Sequence, residues 1–296
     1  LPQRLEKKLT HDFHNVDEHS SELYQILSDN VDDGGRPTFD DIQFVNLTNK
    51  YGRNVFRRTL ADYITNEKPP FPLKEFSQDK VVREFHKLKT HDWTDWISKR
   101  SKDDVIEKYD DYKYPYSKYG LGVIDGPNVF NYVSDYFMND LRMACGSYGF
   151  KSPIQRWNDG DNIWGAFGPI WRGVNDAKEL SRDTYTMSFR LGTYIATQFK
   201  PIVAKTIYEM SDAKTVLDTS MGWGDRLTAF YASNATHYIG CDPNPNTFAR
   251  YKDMIEFYDK LTGGKKTTQI YNCGAEDLPW DEIKNVDCAF TSPPYF

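Results

Sequence analysis

Apolar positions along the first 180 residues recur at helical spacing, and those after residue 210 gather into short runs. Asp40 to Tyr51 places Ile42, Phe44, Val45 and Leu47 on one helical face, and Gly52 is a suitable stop. Arg53 to Ile64 follows with Val55, Phe56, Leu60 and Ile64 at the same spacing. Pro69, Pro70 and Pro72 make Asn66 to Lys74 a linker or rigid turn. Pro115, Gly120, Gly122, Gly126 and Pro127 mark a loop-rich stretch, after which Asn128 to Met143 resumes as an amphipathic helix. From Thr215 onward short apolar runs alternate with helical patterns, as in β-α-β units around a parallel sheet. Strands are expected at Thr215–Asp218, His237–Cys241, Thr268–Asn272 and Val286–Phe290, and helices at Asp225–Ala232 and Asn246–Leu261. The expected organisation is a mainly helical domain over 1–180, followed by an α/β domain over 181–296.

Composition narrows this picture. Aromatic residues make up 15% of the 296 positions, which argues against a disordered chain. The formal net charge is −6, so a nucleic-acid partner would need a segregated basic patch. Lys50, Arg53, Arg57 and Arg58 form one at the turn and second helix of a helix-turn-helix outline. Two amphipathic helices with solvated basic faces are the plainer reading of the same residues. The four cysteines are far apart and form no C-x-x-C pair, which fits a reduced, cytoplasmic compartment without a zinc site. No run of about 18 apolar residues suggests a membrane span. The start at Leu1 without Met and the stop at Phe296 suggest a piece of a longer chain.

Four motifs carry chemistry. In an open α/β sheet, ligands bind outside the carboxyl ends of the strands. Those ends carry Asp218, Asp242, the Glu276-Asp277 pair and Ser292. Asp218-Thr-Ser220-Met-Gly222-Trp-Gly224 is a glycine loop between strand and helix; its glycines allow close backbone approach to a ligand, and the helix N-terminus offers free N–H groups to a carboxylate. Asp242-Pro243, 24 residues after Asp218, puts an acid where ribose hydroxyls are bound in dinucleotide folds; a turn and helix cap would use the same residues. Gly274-Ala275-Glu276-Asp277 follows the third strand and could accept from an adenine amino group, or be a solvated loop. Thr291-Ser292-Pro293-Pro294-Tyr295 sets a hydroxyl, a backbone carbonyl held outward by prolines, and an aromatic face at the last strand's end. An exocyclic amine of a nucleobase is a poor nucleophile. Acceptors such as Ser292 Oγ and the Pro293 carbonyl would favour its tetrahedral transition state while Tyr295 stacks on an extruded base.

In this order the motifs resemble the S-adenosylmethionine-dependent DNA amino-methyltransferases, which modify adenine N6 or cytosine N4. The resemblance covers roughly 190–296. It implies a Rossmann-like class I methyltransferase core with S-adenosyl-L-methionine as cofactor and DNA as partner. Asp218, Ser220, Gly222 and Gly224 would hold the methionine end, Asp242 and Pro243 the ribose, and Ala275, Glu276 and Asp277 the adenine. Phe199 and Pro201 would close the cofactor pocket, although family members often carry Thr where this chain has Lys200. Ser292, Pro293, Pro294 and Tyr295 would be catalytic. Family members also use Asp or Asn at the first of these four positions; Ser there favours cytosine N4. Such folds continue for several strands past the catalytic motif, so a missing C-terminal segment or a partner chain is expected to complete this one. Methyl transfer to RNA or to a protein amide, and a non-catalytic binding subunit, are the rival readings.

Overall fold

The computed structural model describes residues 13–92, 128–147, 149–172, 175–176 and 178–292. In chain order the helices and strands are α1 (Phe13–Asp29), α2 (Asp41–Tyr51), α3 (Arg53–Glu67), α4 (Gln78–Thr90), α5 (Tyr132–Ala144), α6 (Pro153–Trp157), α7 (Arg182–Gly192), α8 (Pro201–Met210), β1 (Thr215–Asp218), α9 (Asp225–Ala232), β2 (His237–Cys241), α10 (Pro245–Thr262), β3 (Thr267–Tyr271) and β4 (Cys288–Ala289). Segments of 3-10 helix add Asn128–Asn131, Gly160–Trp171 and Ala275–Asp277.

The chain forms two compact units, each from two separated stretches: Leu1–Lys74 with Arg142–Ala196, and Glu75–Leu141 with Thr197–Phe296. They do not follow the expected consecutive blocks 1–180 and 181–296. The reason is packing. Val81, Phe85 and Leu88 of α4 and Val133 and Met138 of α5 are buried in one cluster with Phe230, Tyr238 and Tyr258. Tyr258 also donates its hydroxyl to the Val133 carbonyl at 2.7 Å. Apolar faces of early helices thus cover late elements, and each such side chain contributes roughly 1.5–3 kcal/mol on burial.

In the first unit, α2 begins with a reciprocal capping box between Asp40 and Gln43 and ends at Gly52, whose φ of 79° suits only glycine. Phe56 sits among Phe39, Phe44 and Trp171, with ring centroids 5.4–6.2 Å apart. The proline-rich stretch after α3 is an anchored turn. Its carbonyls accept from Arg36 at Pro70, Trp157 at Pro69 and Thr186 at Pro72.

The second unit carries a four-stranded parallel sheet in the order β3-β2-β1-β4. The strands fall close to their expected positions because both sheet faces are covered. Val216 and Tyr238 enter the large cluster, and Leu217 and Ile239 a smaller one. The chain runs outward from β1 to β2 and β3, then returns to the other side of β1 with β4. That reversal makes the β1/β4 boundary a topological switch point, where open α/β sheets bind ligands. Among the described residues, no helix is long and apolar enough to cross a membrane.

Candidate active site

The carboxyl end of β1 is built around a buried charge. Asp218 is fully buried, and its Oδ2 accepts from Arg226 Nε at 2.8 Å and from the Tyr238 hydroxyl at 2.7 Å. Its Oδ1 accepts from Ser220 N–H at 3.2 Å. Arg226 reaches back to donate to the Ser220 carbonyl as well. Burial alone would lower the Arg226 pKa, but the charge and hydrogen bond of Asp218 hold it above its ordinary value. Burial, reinforced by Asp218, pushes the Tyr238 phenol well above its usual range, so this hydroxyl stays a donor. Asp218 therefore shapes the glycine loop from beneath.

Three N–H groups of the loop are bonded within the protein. Met221 N–H donates to the Cys241 carbonyl at 3.0 Å, Gly222 N–H to Asp242 Oδ2 at 2.8 Å, and Gly224 N–H to the Met221 carbonyl at 3.1 Å. The Tyr251 hydroxyl closes the turn by donating to the Gly222 carbonyl. These three N–H groups thus point into the protein rather than toward a ligand. Gly222 and Gly224 have φ of 58° and 74°, where a side chain is strained. A Cβ on Gly224 would lie 2.6 Å from the Met254 methyl, whereas one on Gly222 would meet nothing nearer than the Ser220 carbonyl at 3.8 Å. The space in front of Gly222 is open.

At the end of β2, Asp242 is 8% exposed and bridges the loop to α10. Its Oδ1 accepts from Asn244 N–H at 2.9 Å and the Thr247 hydroxyl at 3.3 Å. Asn272 secures the same corner by donating to the Asp242 carbonyl at 2.9 Å. Pro243 follows in the turn leading to the Asn244 cap of α10. Beyond β3, Ala275, Glu276 and Asp277 form a 3-10 turn on which both acids are exposed. The Glu276 carboxylate folds back over Gly274, where a Cβ would come within 2.5 Å of it. Burial pushes the neighbouring Cys241 thiol up to about 12, with nearby Cys273 and acids adding to the shift, so it is no nucleophile.

The end of β4 meets the end of β1. Phe290 N–H donates to the Leu217 carbonyl at 2.9 Å, and the hydroxyls of Thr291 and Ser220 share a hydrogen bond of 2.7 Å. Ser292 follows directly and is half-buried, while Pro293, Pro294 and Tyr295 lie outside the described residues. Phe199 joins this corner, its ring 5.5 Å from that of Phe290 and 5.6 Å from the Arg226 guanidinium. Pro201 opens α8 as a buried first residue. Trp223 of the glycine loop donates to the Thr197 carbonyl at 3.0 Å, tying the 197–201 segment to the loop.

Several residues of the site were not singled out in the sequence. Arg226, Tyr238 and Tyr251 hold the strand ends in place. Gln198 and Ser134 both donate to the buried Asp225 at the start of α9. A charged pair immediately after a glycine loop, Asp225-Arg226, was the available signal, because acids and bases at a helix start are otherwise solvated. Among the described residues, no group of three His, Cys, Asp or Glu side chains could hold a metal ion.

The four basic residues of the first unit have mixed situations. Lys50 pairs with Glu22 at 2.9 Å, and Arg58 with Asp62 at 3.3 Å. Arg57 donates to the carbonyls of Trp164 and Gly165, whereas Arg53 is exposed at the start of α3.

No protein-family model, no curated protein and no solved structure matches the chain.

Proposed function

We propose that this protein transfers a methyl group from S-adenosylmethionine to an exocyclic amino group of a DNA base, with cytosine N4 favoured over adenine N6. The observation that carries the reading is the Ser220–Thr291 hydrogen bond of 2.7 Å at the switch point. It brings the residue before Ser292 to the glycine loop, as a transfer between a ligand on β1–β3 and an amine at β4 requires.

The residues at hand fit the cofactor. Gly222 leaves open space that a side chain would fill, Asp242 stands at the end of β2 with 8% of its surface exposed, where ribose hydroxyls would be met, and Glu276 and Asp277 offer exposed acceptors for an adenine amine. Asp218, being fully buried, acts through Arg226 and Ser220 rather than by contact. Phe199 and Pro201 would wall the pocket. When bound, S-adenosylmethionine supplies an electrophilic methyl on sulfonium.

On the acceptor side, Ser292 Oγ and the Pro293 carbonyl would accept from the target amine and draw its lone pair out of the ring. Tyr295 would stack on the extruded base, with Pro294 restricting the backbone between them. The Ser220–Thr291 pair would hold Ser292 in register with the glycine loop. Positioning and aimed acceptors are then the main sources of rate.

The test is nucleoside mass spectrometry of DNA treated with the full chain and S-adenosylmethionine. N4-methylcytosine is expected with the wild type and is lost with Ser292→Ala. Activity retained by Ser292→Ala combined with Tyr295→Ala would overturn the site. Methylated RNA or peptide amide in place of DNA would move the substrate.

A further inference from the structure

Thr197, Gln198 and Phe199 form a short strap ahead of α8, and each is tied to the glycine loop, to α9 or to β4 and the residue after it. The Thr197 carbonyl accepts from the Trp223 indole N–H at 3.0 Å. The Phe199 ring lies 5.5 Å from that of Phe290 and 5.6 Å from the Arg226 guanidinium. Gln198, between them, reaches a buried polar cluster. Its Nε2 donates to Asp225 Oδ1 at 3.1 Å and to Ser134 Oγ at 3.0 Å, and its Oε1 accepts from Asn131 Nδ2 at 3.3 Å.

The chemistry of this cluster is specific to an amide. Ser134 is fully buried and Asp225 is 2% exposed. The Ser134 hydroxyl donates its proton to the same Asp225 oxygen, which leaves its lone pairs to receive the Gln198 amide. A carboxylate so deeply placed depends on the donors that surround it. A glutamine side chain gives Asp225 a donor and Asn131 an acceptor at once; a glutamate would set a second carboxylate against the first. Asp225 is also the first residue of α9, directly after Gly224. A bond to its side chain therefore fixes the strap to the helix on which the glycine loop ends.

We propose that Gln198 is a positioning residue of the transfer site: its amide latches the strap to Asp225 and thereby holds the Phe199 ring in the corner between Phe290 and Arg226, where it walls the cofactor. The inference rests on the S-adenosylmethionine reading and names the residue that sets this wall. Gln198 acts through Phe199 rather than by contact with the cofactor.

The experiment is calorimetric titration of the full chain and its variants with S-adenosylmethionine, after circular dichroism has established that each is folded. Gln198→Ala is expected to weaken binding about tenfold, as for the loss of a hydrogen bond to a charged group, at unchanged stoichiometry. A merely structural role would instead lower the stoichiometry and leave the affinity of the competent protein as it was. Gln198→Glu should weaken binding at least as much, and adding Asp225→Asn to it should restore affinity to within about threefold of the wild type, because donor and acceptor have then only changed sides. In a Phe199→Ala background Gln198→Ala should add less than about twofold, since residues that act through one another are not additive. Wild-type affinity in Gln198→Ala, no rescue by Asp225→Asn, or a full tenfold further loss in the Phe199→Ala background would overturn this proposal and leave the cofactor reading intact. Absence of binding by the folded wild type would overturn both.

Discussion

The ends of β1 and β2 carry the same side chain one strand apart and put it to different use. Asp218 has no exposed surface and is enclosed by Arg226, Tyr238 and Ser220. Asp242 keeps 8% of its surface exposed and accepts mainly from backbone N–H groups and a threonine. The neighbouring position decides the difference. Gly240 pairs with Asp218 across the sheet, and a Cβ there would lie within 2.6–2.9 Å of Met221 and Tyr238. The absence of a side chain at Gly240 lets Tyr238 reach Asp218. A strand-end carboxylate is thus fully enclosed where a buried cation faces it and keeps a little exposed surface where backbone N–H groups do.

The widest separation between the two acids should come from Asp218→Ala. It strands Arg226, whose side chain is 4% exposed, and should cost about 3–5 kcal/mol in chemical denaturation. A loss below about 1 kcal/mol would mean that the pair is solvated and not a scaffold. Gly224→Ala should cost about 1–2 kcal/mol, because its left-handed backbone resists a Cβ and the flexible end of Met254 can move aside. Asp242→Asn should behave in the opposite manner to Asp218→Ala. Stability should fall by only about 1 kcal/mol, from weakened bonds to Gly222 and Asn244. Cofactor affinity should fall at least about tenfold. The smallest change is expected of Ser220→Ala, which removes the bond to Thr291 and should cost about 1 kcal/mol or less. Its effect should appear instead mainly as slower methyl transfer.

Much of the second unit could be read from the chain. Thr215–Asp218, His237–Cys241 and Asp225–Ala232 have the expected bounds, because buried parallel strands and the helix between them have strong local patterns. β4 is shorter than expected, two residues rather than five, and pairs with Val216 and Leu217 of β1. The role of Asp218 was not legible. Its partners lie 8 and 20 residues away, and no local pattern distinguishes a caged carboxylate from a ligand-binding one. The same holds for the division of the chain. The helical period of α4 marks an apolar face but does not say that Phe85 packs 4.6 Å from Tyr258. The stop at Gly52 was plain from the glycine after an apolar helical face, whereas the capping box of Asp40 and Gln43 came only with the structure.

Calorimetric titration of the full chain with S-adenosylmethionine, wild type beside Asp242→Asn, measures the division of labour at the strand ends most directly. The wild type should bind. The variant should bind at least about tenfold more weakly, a difference of about 1.4 kcal/mol, while its unfolding transition stays close to that of the wild type. Absence of binding by the folded wild type, or equal affinities for the two proteins, would contradict the assignment of Asp242 and with it the cofactor site.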